Sequence, residues 1–139
     1  MAEAILRHRA GDRFESCSAG MEPTGVHPFV RQVLREAGIE SDQLRSKGLL
    51  TFLGRDRIDY AIIVCERAQQ DCPRLYPFTI NNLYWPFDDP AAFAGPNDEK
   101  LERFRVVRDQ IDRRIQDWLR DELQAATSAQ TSAASDRRR

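Results

Sequence analysis

Apolar residues recur along this chain at different spacings, and each spacing predicts a different element. Leu101, Phe104, Val107, Ile111, Ile115, Trp118 and Leu119 fall three and four apart, on one face of a helix running to about Glu122. Pro96-Asn97-Asp98-Glu99 opens that helix, with Asn97 as its cap and acids in the first turn, where the positive end of the helix dipole favours them. Phe29, Val33, Leu34 and Ala37 repeat the spacing on a shorter helix that starts at Pro28 and closes at Gly38. From Ile58 to Cys65 the chain is instead a continuous apolar run, the pattern of a strand buried on both faces of a parallel sheet. Phe14–Ser18 and Leu83–Trp85 read as further short strands, the second ended by Pro86. Met1 to Arg9 is rich in helix formers and is ended by Ala10-Gly11-Asp12.

Polar stretches divide these elements. Gly20 to Pro28 is a loop punctuated by Pro23, Gly25 and Pro28, Ser41 to Gly48 is polar, and Leu49 to Leu53 carries no assignable pattern. Gln124 to Arg139 holds no large apolar residue, so the expected organisation is one domain over 1–122 and a disordered tail over 123–139 that ends in a solvated Arg137-Arg138-Arg139 run. Strands alternating with helices give an α/β fold, a layered sandwich around a parallel sheet. Three strands make that sheet thin.

Composition narrows the function classes. At 139 residues, 41% hydrophobic and 31% charged, the chain suits one soluble globular domain. A net charge of -1 gives no reason to expect nucleic acid or an anionic membrane surface as partner. The longest apolar stretch, Ala61-Ile62-Ile63-Val64-Cys65, is far too short to span a bilayer, and no secretion signal opens the chain. Three cysteines is an odd number, and a core of this size needs no disulfide, so the expected compartment is the reducing cytoplasm.

The candidate chemistry lies in a few side chains. Cys65 ends the strongest strand, at the carboxyl end where ligands and catalytic groups gather in open α/β sheets, though it equally fits a small buried hydrophobe. Cys72 follows in a polar segment before Pro73, where burial in a core fits poorly. With only His8 and His27 in the chain, the two cysteines fall short of a four-ligand metal set. Asp88 and Asp89, by residue type alone, shape a turn before Pro90. Cys17 lies in the Phe14–Ser18 strand without a pairing partner and reads as core packing. His27 reads as a surface residue at the start of a helix, His8 as exposed and without a role, and Trp85 and Trp118 as core or rim aromatics.

Four segments in fixed order carry a family resemblance: Met1-Ala2-Glu3-Ala4, Ser18-Ala19-Gly20, Cys65 to Cys72, and Trp85-Pro86-Phe87-Asp88-Asp89-Pro90. From Met1 to about Leu119 the chain resembles the thioredoxin-coupled arsenate reductases of the low-molecular-weight protein tyrosine phosphatase superfamily. The resemblance implies a first strand, then a loop of the type Cys, five residues, Arg, then the helix that opens with Met-Ala-Glu. That loop would hold an oxyanion at the helix N-terminus and supply a thiolate nucleophile. Here the sequence starts at the Met, so the resemblance places strand and loop upstream of residue 1; either an internal Met stands as initiator, which the retained Cys65, Cys72 and Asp89 favour, or the truncation is real and the product degenerate.

The resemblance further implies that Cys65 and Cys72 relay the oxidation to an exposed disulfide reduced by thioredoxin, and that Asp89 is the general acid for the leaving oxygen. No cofactor is implied. The phosphatase branch is the alternative, but it carries paired tyrosines after the Asp-Pro where this chain has Ala91-Ala92. A non-catalytic interaction module is the other. Without the loop, the 139 residues are expected to be inactive.

Overall fold

The computed structural model describes residues 1–52, 57–65 and 79–136. Helix α1 spans Ala2–Ala10, with Glu3 in its first turn and Arg7, His8 and Arg9 in its last, each sign at the end of the helix dipole that favours it. Helix α2 spans Pro28–Glu36; Pro28 sits in its first turn, and Gly38 beyond its end adopts φ 70°, the left-handed conformation that favours glycine. Strand β1 is Ile58–Cys65 and strand β2 is Thr79–Phe87. Helix α3 runs Asn97–Asp136, its first intrahelical bond donated by the Lys100 N–H to the Pro96 carbonyl.

Among the described residues the sheet is the pair β1–β2, parallel, as the α/β reading requires. The connection between the strands contains Cys72 and lies outside the described residues. So does Leu53, the end of the stretch that had no assignable pattern; Leu49–Thr51 forms a single 3-10 turn. Strand β2 is longer than the expected Leu83–Trp85 and runs past Pro86. Ile63 pairs with Tyr84 and Cys65 with Phe87, so Trp85 and Pro86 together oppose Val64. Proline has no N–H for the ladder, and a bulge absorbs it.

One face of the strand pair, with Tyr60, Ile62, Leu83, Trp85 and Phe87, packs on a core built from Ala4 and Ile5 of α1, Leu34 of α2 and Val107, Ile111, Ile115, Trp118 and Leu119 of α3. Trp118 gathers the aromatics, with ring centroids 5.1 Å from Phe14, 5.0 Å from Tyr60 and 5.7 Å from Trp85. Helix α3 is tied to α1 by the two-pronged Arg9–Asp112 pair, at 2.8 and 2.7 Å, and to α2 by Arg105–Glu36, at 2.8 and 3.0 Å. Both arginines present a planar fork to a carboxylate.

Three expectations are corrected. Phe14–Ser18 forms no ladder; the nearest pairing is an isolated parallel bridge between Gly20 and Gly48. Cys17 is therefore not a core residue but an exposed free thiol. The alternation of an extended chain explains it: Ser16 and Ser18 turn toward Glu3, which sends Cys17 the other way. The third helix also does not stop near Glu122. Residues 124–134 are mostly Ala, Gln, Ser and Thr, and the Ala and Gln favour propagation of a helix already nucleated by tertiary packing. No helix among the described residues is long and apolar enough to cross a membrane.

Candidate functional site at the carboxyl end of the parallel strands

An open cleft of about 320 Å³ lies beside the first turn of α1. Met1 and Ser18–Gly20 form its floor, Gly25–His27 and Arg45–Lys47 its walls, and Asp89–Ala91 its roof, with Phe104 behind. Three of the four segments that carry the family resemblance thus meet in one place. Of the fourth, only Cys65 lies within the described residues: it closes β1 and pairs with Phe87, two residues before Asp89. The convergence falls at the carboxyl ends of parallel strands, where open α/β sheets place their ligands.

Asp89 is exposed, and its Oδ1 accepts the Ala91 N–H at 3.0 Å, capping the 3-10 turn Pro90–Ala92. The residue that caps the turn therefore also lines the cleft. Pro90 is buried beneath it, and Lys100 Nζ donates to the Ala91 carbonyl at 3.4 Å, which fixes the loop to α3. Asp88 is exposed and does not line the cleft.

His27 begins α2 as expected, but it is half-buried rather than free on the surface. Its Nδ1 accepts the Phe29 N–H at 3.1 Å, and its ring stacks on Phe104 with centroids 4.7 Å apart. A ring accepting at Nδ1 carries its proton on Nε2 when neutral. His8 is exposed on α1.

The residue that composition missed is Glu3. Its side chain is only 4% exposed, yet it is a carboxylate. Arg7 Nη2 lies 2.5 Å from Oε1; Oε2 takes a very short hydrogen bond from the Ser18 hydroxyl and lies 3.4 Å from Lys47 Nζ. The Ser16 hydroxyl donates to the Glu3 carbonyl at 3.0 Å. Burial alone raises the carboxyl pKa, but the bonds from Ser18 and Arg7 and the Lys47 charge outweigh it and hold it below the ordinary value. The only local trace in the sequence is the i,i+4 spacing of Glu3 and Arg7. The other two partners are long-range.

Among the described residues no three His, Cys, Asp or Glu side chains are placed to hold a metal ion. The 139 residues also contain no Cys followed after five residues by Arg.

Along most of its length the chain is similar to known proteins. The chain is 36% identical over 116 residues to the arsenate reductase of Shouchella clausii, an alignment covering 83% of this chain and 81% of the relative. To the arsenate reductase of Bacillus subtilis it is 30% identical over 118 residues, covering 85% and 84%. An arsenate reductase solved in its reduced state superposes with a TM-score of 0.66 at 25% identity, covering 86% of both chains. Another solved in a phosphate-binding state shares the fold, with a TM-score of 0.62 at 24% identity. The sequence profile of the low molecular weight phosphotyrosine protein phosphatases matches residues 1–129, and this chain belongs to that family.

Proposed function

We propose that this chain is the body of an arsenate reductase that reduces arsenate to arsenite by a relay of thiols, with thioredoxin as the reductant. The observation that carries the reading is the meeting of Asp89, Ser18–Gly20 and the first turn of α1 on one cleft, beside the strand that ends in Cys65. The chemistry needs a nucleophilic thiolate from a Cys-x5-Arg loop at the α1 end of the cleft. That thiolate displaces an oxygen of arsenate, which leaves as water with a proton from Asp89. Cys65 then attacks the nucleophile's sulfur. A sulfur–sulfur bond forms, the arsenic–sulfur pair of electrons goes to arsenic, and arsenite departs. Cys72 attacks Cys65 in turn, frees the nucleophile and leaves a Cys65–Cys72 disulfide, which the dithiol of thioredoxin reduces by two further exchanges. Such a relay belongs in the reducing cytoplasm.

The test joins these residues to an N-terminal strand and Cys-x5-Arg loop and follows arsenate reduction coupled to thioredoxin and its reductase. The 139-residue protein alone should show no turnover of arsenate or of an aryl phosphate. In the longer protein Cys65→Ser should abolish reduction and Cys72→Ser should stop after one turnover. Asp89→Asn should slow the leaving-group step by roughly 10²–10⁴-fold. Multiple turnover in both cysteine variants, together with aryl phosphate hydrolysis, would leave the phosphatase reading, which the family's name favours, as the better one.

A further inference from the structure

Two residues in the cleft walls carry a formal positive charge, and they are held differently. Arg45 folds back on its own loop, its Nη1 donating to the carbonyls of Asp42 at 2.5 Å and Leu44 at 2.9 Å. Lys47 reaches out of its loop at two points. Its ammonium lies 3.4 Å from Glu3 Oε2, the oxygen that also takes the Ser18 hydroxyl. Its carbonyl accepts the Gly20 N–H at 2.9 Å, and the Gly20 carbonyl accepts the Leu49 N–H at 3.3 Å, closing the Gly20–Gly48 bridge.

We propose that Lys47 is a positioning residue of the cleft: held at Glu3 through its ammonium and at Gly20 through its carbonyl, it locks Ser18–Gly20 against the first turn of α1. This rests on the cleft being the substrate site, but the lock itself does not depend on the reaction. Glu3 has the burial that makes the contact matter, since a side chain 4% exposed has little water to replace a lost partner. Arg7 cannot substitute for Lys47. It lies four residues away on α1, so its pair with Glu3 ties the helix to itself, and at 37% exposure it reaches solvent. Lys47 is 44 residues away and joins a separate segment. Charge works in the same direction. A carboxylate in the first turn of a helix opposes an anion at that end, and the ammonium beside it cancels that opposition. Lys47 thus adds to the direct Ser16 and Ser18 bonds a third, long-range hold on the cleft floor, and with Arg7 it offsets the Glu3 charge beside an oxyanion.

The test uses the 139-residue protein and needs no turnover. Amide resonances of Ser18, Ala19 and Gly20, exchange of the Gly20 N–H, and the titration of the Glu3 carboxyl are followed by NMR in the wild type, Lys47→Met, Lys47→Arg, Glu3→Gln and the double variant. The groups facing Glu3 are Arg7, Ser18, Lys47 and the Met1 amine. Lys47→Met should shift the three amides, speed Gly20 exchange at least tenfold and move the Glu3 titration upward. Lys47→Arg should restore all three readouts. In the double variant the amide shifts should match those of Glu3→Gln alone, because the two side chains act through one contact. Should Lys47→Met not fold, Lys47→Gln takes its place: the Ala19 and Gly20 amides, which do not bond to Glu3 themselves, should shift and Gly20 exchange should quicken. Unchanged Ala19 and Gly20 amides in a folded Lys47→Met or Lys47→Gln, or additive effects in the double variant, would overturn the proposal. Absence of arsenate reduction in the extended protein would bear on the reductase reading and leave this one standing.

Discussion

Phe104→Ala should be among the most damaging single substitutions in the described core, and it tests whether the back wall of the cleft is built as described. Phe104 is 2% exposed, with the His27 ring stacked on it at 4.7 Å and the Phe29 ring edge-on at 5.7 Å. Truncation of a buried Phe costs about 3–5 kcal/mol, the spread reflecting how well the site collapses. Because Phe104 borders an open cleft, water can enter the space left behind, which favours the lower end, about 3 kcal/mol. Each aromatic pair adds roughly 0.5–1.5 kcal/mol beyond the area it buries, so part of the loss is the two ring contacts. Against a typical domain stability of about 5–15 kcal/mol, that is a large share. Urea unfolding followed by the fluorescence of Trp85 and Trp118 measures it, with the slope unchanged if only stability changes. Phe104→Leu should lose about half as much. A loss below about 1 kcal/mol for Phe104→Ala would refute the buried, stacked placement, since no fully buried phenylalanine is removed so cheaply.

Three further outcomes follow from the contacts. Glu3 has its folded pKa held below the unfolded value, so its contribution is present above the unfolded carboxyl range near pH 4.3 and is lost as pH falls through the lower folded value; thermal melts against pH should show an acid limb that is blunted in Glu3→Gln. Tyr60 donates to Glu122 Oε2 at 2.7 Å, and that bond first, with burial second, pushes its hydroxyl up to about 12, so its stabilising share is full below about pH 10 and disappears as pH rises through about 12; ultraviolet titration of Tyr60→Phe against wild type should lose that late step. Gly95→Ala would place a Cβ 2.2 Å from the tip of the half-buried Phe93 ring, which must swing aside and disturb its contact with the Arg103 guanidinium, 4.0 Å from its centroid; a loss of about 0.5–1 kcal/mol in urea melts is expected, and a gain in stability would count against that packing.

The elements legible in the sequence are those whose partners repeat along their own length. Helix α3 announces itself because Phe104, Val107, Ile111, Ile115 and Trp118 are all buried on one face, and β1 because the apolar run Ala61–Cys65, led in by Ile58 and Tyr60, fits little else at that length. Strand β2 is only half visible. Asn81 and Asn82 depress strand propensity at its start, yet the start pairs with β1, and Asn81 donates its amide to the Asp59 carbonyl at 3.2 Å. Phe14–Ser18 shows the opposite case. Its residues suit a strand, but a strand also needs a neighbour for its backbone, and among the described residues it has only the Gly20–Gly48 bridge at its end. Strand propensity is carried by the residues; the ladder that satisfies it is not.

The same distinction separates the parts of the site. The place of Asp89 is legible because the short motif Trp85 to Pro90 carries its turn, and the cap to Ala91 is local. That of Glu3 is not, because what makes it matter is its surroundings: a glutamate in a first helical turn is ordinarily a solvated residue favoured by the helix dipole. Its burial follows from the packing of Ala4 and Ile5 beside it, and its satisfaction from Ser18 and Lys47, chosen by the fold from 15 and 44 residues away. A buried carboxylate without those partners would cost several kcal/mol or take up a proton. Glu3, Ser18, Lys47 and Arg7 meet at one carboxylate, so substitution at any of them is expected to disturb the cleft floor rather than a single side chain.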